Sequence, residues 1–431
     1  MSQKYLNSQF YKTNRDRLRM LMEDDAIAVV FSNDMMPRNG DQYFPFRQNS
    51  DLLYLTGIDQ EETVLLFFPD SPLEQFREVL FIRKTNEKIA TWEGHKYTQE
   101  EAAKISGIKN VMWLESFQSV LKQASSLSSK FYLNKNEHPG APENVESKQL
   151  REGKRIKEKY PFHQYYRLAP LMKELRLVKQ QAEINTMQQA CDITADAFKR
   201  VLKFVKPGLK ESQVEAEITH EFLRSGAQGH AYAPIVASGK NATVLHYTAN
   251  NQTINNGDLI LFDIGCEYMN YASDMSRTIP VNGKFSARQK EVYNAVLRVF
   301  QQAKEMIKPG TSINQINNNV EQLLMEEHIK LGLYSRKDIQ DNEKANEMVK
   351  TYYPHGTSHF MGLDVHDVGT KYERLEAGMV LSCEPGIYIR EENIGVRIEN
   401  DILVTMEKPL DLMADVPITV DEIENFMNDA G

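Results

Sequence analysis

Short apolar runs bounded by turn residues recur through the first third of the chain. They read AIAVVFS from Ala26, TVLLFFP from Thr63, EVLFIR from Glu78, NVMWL from Asn110 and KFYLN from Lys130. Runs of this length are typical of buried strands, and the spacings before the last two leave room for helices. With an amphipathic helix predicted over 15–22, the pattern indicates one α/β domain whose sheet is covered on both faces.

The segment 136–163 differs in being polar, dense in charge and poor in aliphatic residues. It predicts an exposed helix followed by a linker, and its run REGKRIKEK is typical of a solvated helix face. We therefore place a domain boundary after it, with an N-terminal α/β domain at 1–170 and a second domain at 171–431.

The second domain shows an internal similarity. Apolar positions at three- and four-residue steps from Ile184 to Val205 predict a long helix that ends before Pro207-Gly208. The pattern returns over 292–300 and ends before Pro309-Gly310, and a further helix is predicted after each Lys-Pro-Gly. Such similarity is typical of a duplicated unit with a cleft between its halves. The alternative is that the two segments are similar by coincidence, because helix–Pro–Gly–helix sequences are common.

Two aspartates lie in the first of two predicted hairpins. Asp263 in DLILFDIG and Asp274 in YASDMSRTI are symmetric about a turn at 268–269. Residues so placed face each other across a hairpin, with Cβ atoms about 5 Å apart. Two like charges opposed in this way repel unless a cation lies between them.

A second predicted hairpin repeats this construction. Glu384 in VLSCEPGIYI and Glu399 in IGVRIENDI are symmetric about a turn at 391–392. Each hairpin therefore is predicted to present an opposed pair of carboxylates.

Histidines cluster between the two hairpins. His355, His359 and His366 fall in the one stretch PHGTSHFMGLDVHDVG. The four-residue step between the first two occurs in helical zinc motifs, but no Glu follows the first histidine, and Gly356 and Gly362 oppose a helix. The zincin interpretation is therefore rejected.

These residues together predict a metal site. A single aspartate on a strand is ordinarily a solvated or hairpin-end residue, but four carboxylates in two hairpins with histidines between them favour ligation. Four carboxylates and an imidazole form a hard, oxygen-rich donor set that suits two divalent ions such as Mn²⁺ and excludes a thiolate-rich zinc site. Such a pair is the standard device for making hydroxide at neutral pH.

The composition of the chain limits the class of protein and the compartment in which we expect it. The 431 residues carry 60 acidic and 51 basic side chains, an acidic balance that argues against a nucleic-acid-binding protein. Cys191, Cys266 and Cys383 form no CxxC pair, and their odd number favours a reducing, cytoplasmic compartment. No signal-peptide core and no apolar run of about eighteen residues is present, so we expect no membrane association.

Several blocks resemble a known family. HGTSHFMGLDVHDVG, LSCEPGIYI and GVRIENDI resemble the signature blocks of the Xaa-Pro aminopeptidases (aminopeptidase P), metallopeptidases of the pita-bread fold that also includes prolidases and methionine aminopeptidases. YFPFRQNSDLLYLTG from Tyr43 resembles the N-terminal block of the same family. The resemblance covers nearly all of the chain and implies an α/β N-terminal domain plus an α+β pita-bread catalytic domain with duplicated, pseudo-symmetric halves.

The resemblance also implies five metal ligands: Asp263, Asp274, His359, Glu384 and Glu399. Asp274 and Glu399 would bridge two divalent ions, most simply Mn²⁺. Asp263 would complete one site, and His359 with Glu384 the other.

The family's catalytic residues map onto further positions. Glu384 would pass a proton to the leaving nitrogen after attack by a hydroxide held between the ions. His246 in LHYT and His366 in DVHD would stabilise the tetrahedral intermediate, and His355 matches a position on the substrate side.

Four other residues are implied in substrate binding. Arg397 would pair with Asp41 of the N-terminal domain. Tyr388 and Trp92 match positions at the proline pocket or its rim, with the tryptophan supplied by a neighbouring subunit. A simple surface or interface role is the alternative for Trp92.

The remaining candidates have ordinary interpretations. Cys383 adjoins Glu384 but points to the opposite sheet face, which predicts a core residue rather than a nucleophile. His138, His220 and His328 are interpreted as surface residues.

The implied activity is metal-dependent removal of the N-terminal residue from peptides with proline second. A prolidase, which cleaves only Xaa-Pro dipeptides, is the alternative. A binding protein that has lost catalysis and a metal-free hydrolase are disfavoured because all five ligand positions are intact. The implied partners are peptide substrates with an Xaa-Pro N-terminus, and neither nucleic acid nor membrane is expected to bind. A homodimer or homotetramer is implied, in which domain 1–170 would form the subunit contacts and one wall of the cleft.

Overall fold

The computed structural model describes residues 6–142, 144–339 and 341–429. The chain divides into two compact units, Met1–Arg176 and Leu177–Gly431. The division falls a few residues beyond the expected boundary at 170. No helix among the described residues is both long and apolar enough to cross a membrane.

The N-terminal unit alternates strands and helices. Its strands are β1 (Ala26–Phe31), β2 (Pro37–Asn39), β3 (Gln42–Tyr43), β4 (Val64–Phe67), β5 (Glu78–Ile82), β6 (Asn110–Trp113), β7 (Lys130–Leu133) and β8 (Gln164–Arg167). Its helices are α1 (Ser8–Leu21), α2 (Ser50–Thr56), α3 (Glu87–Glu93), α4 (Gln99–Ser106), α5 (Phe117–Ser125), α6 (Lys148–Lys159) and α7 (Ala169–Leu177), which ends just past the division.

Six of these strands form one mixed sheet in the order β6-β5-β4-β1-β7-β8. The central strand β1 is antiparallel to β4 and parallel to β7, and all of its residues are buried. Aliphatic and aromatic side chains of β1, β4 and β5 pack against α5 and α6 on one face. Because successive side chains of a strand point to opposite faces, a fully buried strand requires cover on both sides. The five strands and the two-sided sheet predicted from the apolar runs are confirmed.

The polar segment 136–163 belongs to this unit rather than to a linker. Its helix α6 exposes most of its lysines, as expected, but it buries Ile156 in the core. The next strand, β8, then extends the sheet parallel to β7. No apolar run marks β8 in the sequence, because its four residues are only half-buried or exposed at the sheet edge. This strand and α7 explain why the division lies later than predicted.

The second unit contains the helices α8 (Gln181–Phe204), α9 (Glu211–Arg224), α10 (Ala287–Met306), α11 (Ile313–Lys330), α12 (Asn342–Tyr352) and α13 (Val420–Asn428). Its strands are β9 (Gly229–His230), β10 (Ile235–Ser238), β11 (Leu259–Ile264), β12 (Cys266–Tyr268), β13 (Tyr271–Ala272), β14 (Met275–Pro280), β15 (Val380–Cys383), β16 (Gly386–Ile389), β17 (Ile394–Arg397), β18 (Asn400–Leu403) and β19 (Leu410–Asp411). The main sheets run β10-β11-β14 and β15-β18-β19, and β16 pairs with β17.

Equivalent hydrogen bonds confirm the internal duplication. Gly208, in the turn after α8, donates its backbone N–H to Ile254 O at 2.9 Å, just ahead of β11. Gly310, in the turn after α10, donates to Leu375 O at 2.9 Å, just ahead of β15. Both glycines have a left-handed φ, of 93° and 86°, which favours glycine over other residues. Asp263 follows Ile254 at the same spacing at which Glu384 follows Leu375, so each half places a carboxylate at the same structural position.

Hydrogen bonds join the two halves where these carboxylates lie. Glu399 N donates to Ser276 O at 3.0 Å, and Arg397 N donates to Thr278 Oγ1 at 3.3 Å. These bonds tie the end of β17 to β14. The strands that carry the acidic residues of the two halves are therefore held side by side.

Candidate metal centre

The first hairpin differs in register from the prediction. In the β11–β14 pair Asp263 lies opposite Ser276, not opposite Asp274. The chain reverses at Met269 and Asn270, which have φ of 49° and 66°, one residue later than expected. Two consecutive residues of positive φ suit the tight turns of twisted hairpins, and Asn is favoured there. The predicted direct opposition is therefore wrong, although both aspartates remain at the same end of the strand pair.

The second hairpin has the predicted symmetry. Gly386 pairs with Arg397 in β16–β17, a register that places Glu384 and Glu399 at equivalent positions on either side of the turn at Arg390–Glu392. The turn predicted at 391–392 is confirmed.

Five side chains from these elements converge. Ligand-capable atoms of Asp274, His359 and Glu399 all lie within 4.8 Å of one another. His359 Nε2 is 3.3 Å from Asp274 Oδ2 and 3.8 Å from Glu384 Oε1. Asp263 joins the group from β11, and its charge acts on the other carboxylates. The structure thus brings together the five residues that the family resemblance implies as ligands, and the ligand role itself stays a prediction.

The electrostatics of the cluster are unfavourable without cations. Burial, followed by repulsion from Asp263, raises the pKa of Asp274 well above its usual range. Burial and repulsion from Asp274 do the same to the pKa of Glu399. Burial and the neighbouring Glu399 raise the pKa of Glu384 to about 8. The carboxylates need positive charge in order to ionise together at neutral pH.

A divalent metal fits this donor set. Asp263 Oδ1 is buried with no hydrogen-bond partner in the part of the chain that the structure describes. The guanidinium of Arg397 bonds Asp263 Oδ2 and lies 3.9 Å from Glu399 Oε2, which leaves most of the negative charge unbalanced. Hard oxygen donors that have a lone pair free of hydrogen bonds are the ligands that divalent ions such as Mn²⁺ select.

Arg397 has partners that the sequence did not suggest. Its guanidinium forms an ion pair with Asp263 and donates to Tyr388 Oη at 2.9 Å, within the second unit. Asp41 belongs to the N-terminal unit, where its exposed carboxylate accepts from Gln42 Nε2 at 2.8 Å. The pairing of Arg397 with Asp41 therefore stays a prediction.

His355 is held neutral beside Tyr388. Its Nε2 lies 2.8 Å from Tyr388 Oη, and its Nδ1 lies 2.8 Å from Gly356 O. Because Tyr388 Oη accepts from Arg397, its own proton points to His355 Nε2, which assigns the hydrogen of the imidazole to Nδ1. Burial and the nearby guanidinium lower the pKa of His355 to about 3.

The other predicted substrate-side residues are exposed. The rings of His366 and His359 meet edge-on with centroids 4.4 Å apart. His246 follows the 3₁₀ turn Gly239–Thr243 and is close enough to His355 for its charge to act on that imidazole. Trp92, on α3 of the N-terminal unit, is 79% exposed. The catalytic and pocket roles of these side chains stay predictions.

Two neighbours of the cluster were missed by sequence reasoning. Tyr232 Oη donates to Asp274 Oδ1 at 2.5 Å. Asp401 Oδ2 accepts from Asp274 N at 3.1 Å and from Cys191 Sγ at 3.3 Å, deep in the protein. Asp401 carried a usable signal, since it follows Glu399 by two residues in IENDI, the spacing of one strand face. Tyr232 carried none.

The surface interpretation of His328 is wrong. It is fully buried on α11, packs against Tyr334 and Tyr352, and places Nδ1 3.1 Å from Tyr334 Oη. Burial lowers its pKa to about 4. The imidazole is therefore an uncharged core residue.

The other ordinary interpretations agree with the structure. Cys383 is fully buried and its pKa is raised well above the usual thiol value by burial, which makes it a core residue. His138 and His220 are exposed.

Two family models match the chain. Metallopeptidase family M24 matches residues 185–406, and Aminopeptidase P, N-terminal domain, matches residues 11–132. The chain belongs to metallopeptidase family M24. As an M24 enzyme it is a hydrolase that combines an aminopeptidase P N-terminal domain with a pita-bread catalytic domain. Family membership implies divalent metal ions, and Asp274, His359 and Glu399 form a group that could hold one.

Relatives of this M24 chain match it along nearly its whole length. A Xaa-Pro aminopeptidase from Haemophilus influenzae is 35% identical over 98% of both chains. The structure of aminopeptidase PepP from Pseudomonas aeruginosa has a TM-score of 0.89 at 33% identity, covering 99% of each chain. Zinc-substituted aminopeptidase P from Escherichia coli, in complex with product, has a TM-score of 0.87 at 33% identity and covers 98% of each chain.

Proposed function

We propose that this M24 enzyme is a Xaa-Pro aminopeptidase, which removes the N-terminal residue from peptides that have proline in the second position. The observation that carries the proposal is the convergence of Asp263, Asp274, His359, Glu384 and Glu399 in a chain that is 35% identical, over 98% of its length, to two bacterial relatives named Xaa-Pro aminopeptidase.

These five residues would hold two divalent ions, with Asp274 and Glu399 shared between them and Mn²⁺ as the metal. When bound, the ions would supply nucleophilic hydroxide at neutral pH and balance the carboxylate charge. The orphaned Asp263 Oδ1 and the raised pKa values of the other carboxylates support this assignment.

Glu384 is the proposed proton carrier. The nitrogen of an Xaa-Pro bond is a tertiary amide without a hydrogen, so it must be protonated to leave. Glu384 belongs to the cluster, with Oε1 3.8 Å from His359 Nε2, and in the metal-free site burial and Glu399 raise its pKa to about 8. It can take a proton from the attacking water and deliver it to the leaving prolyl nitrogen.

Three histidines would act on the substrate. His366 and His246 are exposed imidazoles beside His359 and His355, where they can donate hydrogen bonds to the oxygen on which negative charge develops. His355 is fixed by the hydrogen-bonded chain from Arg397, which supports a positioning role in the wall that receives proline.

We also propose a homodimer or homotetramer in which the N-terminal unit makes the contacts. Helix α3 has no buried residue, and the largely exposed Trp92 on it fits an aromatic anchor for a neighbouring subunit. The same unit would supply Asp41 to Arg397. All three cysteines are free and buried, which supports a reducing, cytoplasmic setting.

The test compares peptides of different length in the presence of Mn²⁺. We expect kcat/KM for Ala-Pro-Ala to equal or exceed that for Ala-Pro, because contacts beyond proline can assist the transition state. Ala-Ala-Ala is the matched control and should be cleaved poorly. A strong preference for Ala-Pro would replace the proposal with a prolidase, and efficient cleavage of the control would remove the proline specificity.

A further inference from the structure

A buried ion pair lies behind the histidine loop of the second unit. Lys179 Nζ is 3.1 Å from Asp367 Oδ2, and each side chain is 1% exposed. Lys179 also donates to Leu177 O at 3.3 Å. Removing two charges from water costs about as much as their attraction returns, so stability alone is a weak reason for such a pair.

Asp367 closes the loop that carries two of the site histidines. Its backbone N–H donates to Phe360 O at 2.9 Å. His359 immediately precedes one end of this closure, and His366 immediately precedes the other. The closure therefore brings the two imidazoles to the observed 4.4 Å between ring centroids.

The loop backbone packs directly on the ion pair. A Cβ added to Gly362 would lie 2.1 Å from Asp367 Oδ2 and 3.1 Å from Lys179 Cε. No side chain fits at Gly362 while the pair is in place. The carboxylate of Asp367 therefore contacts both the ammonium of Lys179 and the loop backbone at Gly362.

A second buried carboxyl nearby has its own partners. Glu183 accepts from Tyr271 Oη at 3.0 Å and from Gln180 N at 2.9 Å. Glu183 is therefore satisfied on its own helix and on β13. Asp367 is the carboxylate to which the ammonium of Lys179 bonds directly.

We infer that Lys179 is a positioning residue for catalysis: it fixes Asp367, and through Asp367 it fixes the imidazole of His366 beside His359. This inference rests on the proposed function, in which His366 stabilises the developing oxyanion. It predicts that losing the lysine misplaces His366 without removing a metal ligand.

The kinetic test uses Lys179→Met in the full chain with Ala-Pro-Ala and saturating Mn²⁺. A misplacement of about 1 Å can cost about 100-fold in rate, so kcat should fall about 10- to 100-fold while KM and bound metal stay within about twofold. In a His366→Ala background the same change should lower kcat by less than about threefold. An equal loss in both backgrounds, or an unchanged kcat, would overturn the inference.

A structural readout tests the same idea without activity. In the full-length chain, with and without Zn²⁺, the nuclear Overhauser effect between the ring protons of His359 and His366 should be strong in the wild type and lost in Lys179→Met. Its persistence in the variant would refute the inference. This measurement tests the positioning role of Lys179 even if no Xaa-Pro peptide is cleaved. Absence of cleavage would refute the proposed function but not the positioning of His366 by Lys179.

Two further variants keep the test decisive. If Lys179→Met does not fold, Lys179→Met/Asp367→Asn leaves neither member of the pair charged and should show the same loss of kcat and of the ring contact. Arg298→Met/Lys330→Met is the control, because it takes both cations, 2.5 and 2.8 Å away, from the largely buried Glu327. It should lower the melting temperature and leave kcat unchanged. A comparable fall in kcat in this control would show that general destabilisation explains the effect.

Discussion

Removal of the metal ions should make the stability of the protein fall as pH rises above 6.5. In the metal-free fold the pKa of Glu384 is about 8, against an ordinary value of 4.5. Over pH 6.5–8 the folded state therefore holds a proton on Glu384 that the unfolded state has released. Because the folded state binds more protons, the free energy of unfolding decreases with pH in this window.

The size of the effect follows from that pKa. Integrated from pH 6.5 to 8, Glu384 alone costs about 1.5 kcal/mol of stability. Asp274 and Glu399, whose pKa values are also raised, add to this loss. The window begins at pH 6.5 because His355 and His328 have lowered pKa values and destabilise the fold increasingly as pH falls, by about 0.4 kcal/mol each at pH 6.5 and by more below it.

Bound metal should reverse this dependence. Divalent ions replace protons on the carboxylates and bind the folded state, so stability with saturating Mn²⁺ should not fall over the same window. The gap between metal-loaded and metal-free protein should widen by at least about 1.5 kcal/mol from pH 6.5 to 8. Glu183, with a pKa of about 7, contributes to both forms and cancels in this comparison.

Urea unfolding at four pH values, with Mn²⁺ or with a chelator, measures this gap. Trp92 and Trp113 are the two tryptophans of the chain and both lie in the N-terminal unit. Tryptophan fluorescence therefore reports on that unit, and circular dichroism on the whole chain. The gap should appear in the dichroism and shrink in Glu384→Gln. A gap that stays constant with pH would refute the assignment of the carboxylates as ligands.

Three substitutions test other parts of the site. Glu399→Gln should reduce the amount of bound metal. His366→Ala should keep the metal and lower kcat at least tenfold, and loss of metal from His366→Ala would show that His366 is a ligand. Asp401→Ala removes the acceptor of the Asp274 backbone N–H, so metal affinity by titration calorimetry should fall about 10- to 100-fold, and an unchanged affinity would contradict an orienting role. Between pH 7 and pH 5, the free energy of unfolding of wild type should fall by about 2 kcal/mol more than that of His328→Phe, because the imidazole takes up a proton in the unfolded chain but not when buried. Urea unfolding at the two pH values measures this difference, and parallel pH curves would contradict it.

The sequence predicted much of the catalytic unit because its signals are local. The two Lys-Pro-Gly turns end helices by simple backbone chemistry, and their positive-φ glycines occupy equivalent places. The symmetry of Glu384 and Glu399 was predicted because the short hairpin between them has one central turn. In the first hairpin Asn270 is the better turn signal, because a turn at 268–269 shifts the predicted register by one residue and places Asp274, instead of Ser276, opposite Asp263.

Other features depend on contacts that no local pattern carries. The bonds of Arg397 to Asp263 and Tyr388 form only when the two halves of the unit meet. The burial of His328 does have a local signal, because it continues the four-residue apolar spacing of Val320 and Leu324 on α11, although histidine as a residue type is more often found at the surface. The role of β8 in the N-terminal sheet depends on its pairing with β7, which its own composition does not reveal.

We propose that five side chains of this M24 enzyme hold two divalent ions. Anomalous X-ray diffraction at the manganese edge, on crystals grown with Mn²⁺, tests it most directly. We expect two anomalous peaks among Asp263, Asp274, His359, Glu384 and Glu399. Both peaks should disappear after exhaustive chelation, together with activity on Ala-Pro-Ala. A cluster without anomalous density in an enzyme that remains fully active would contradict it.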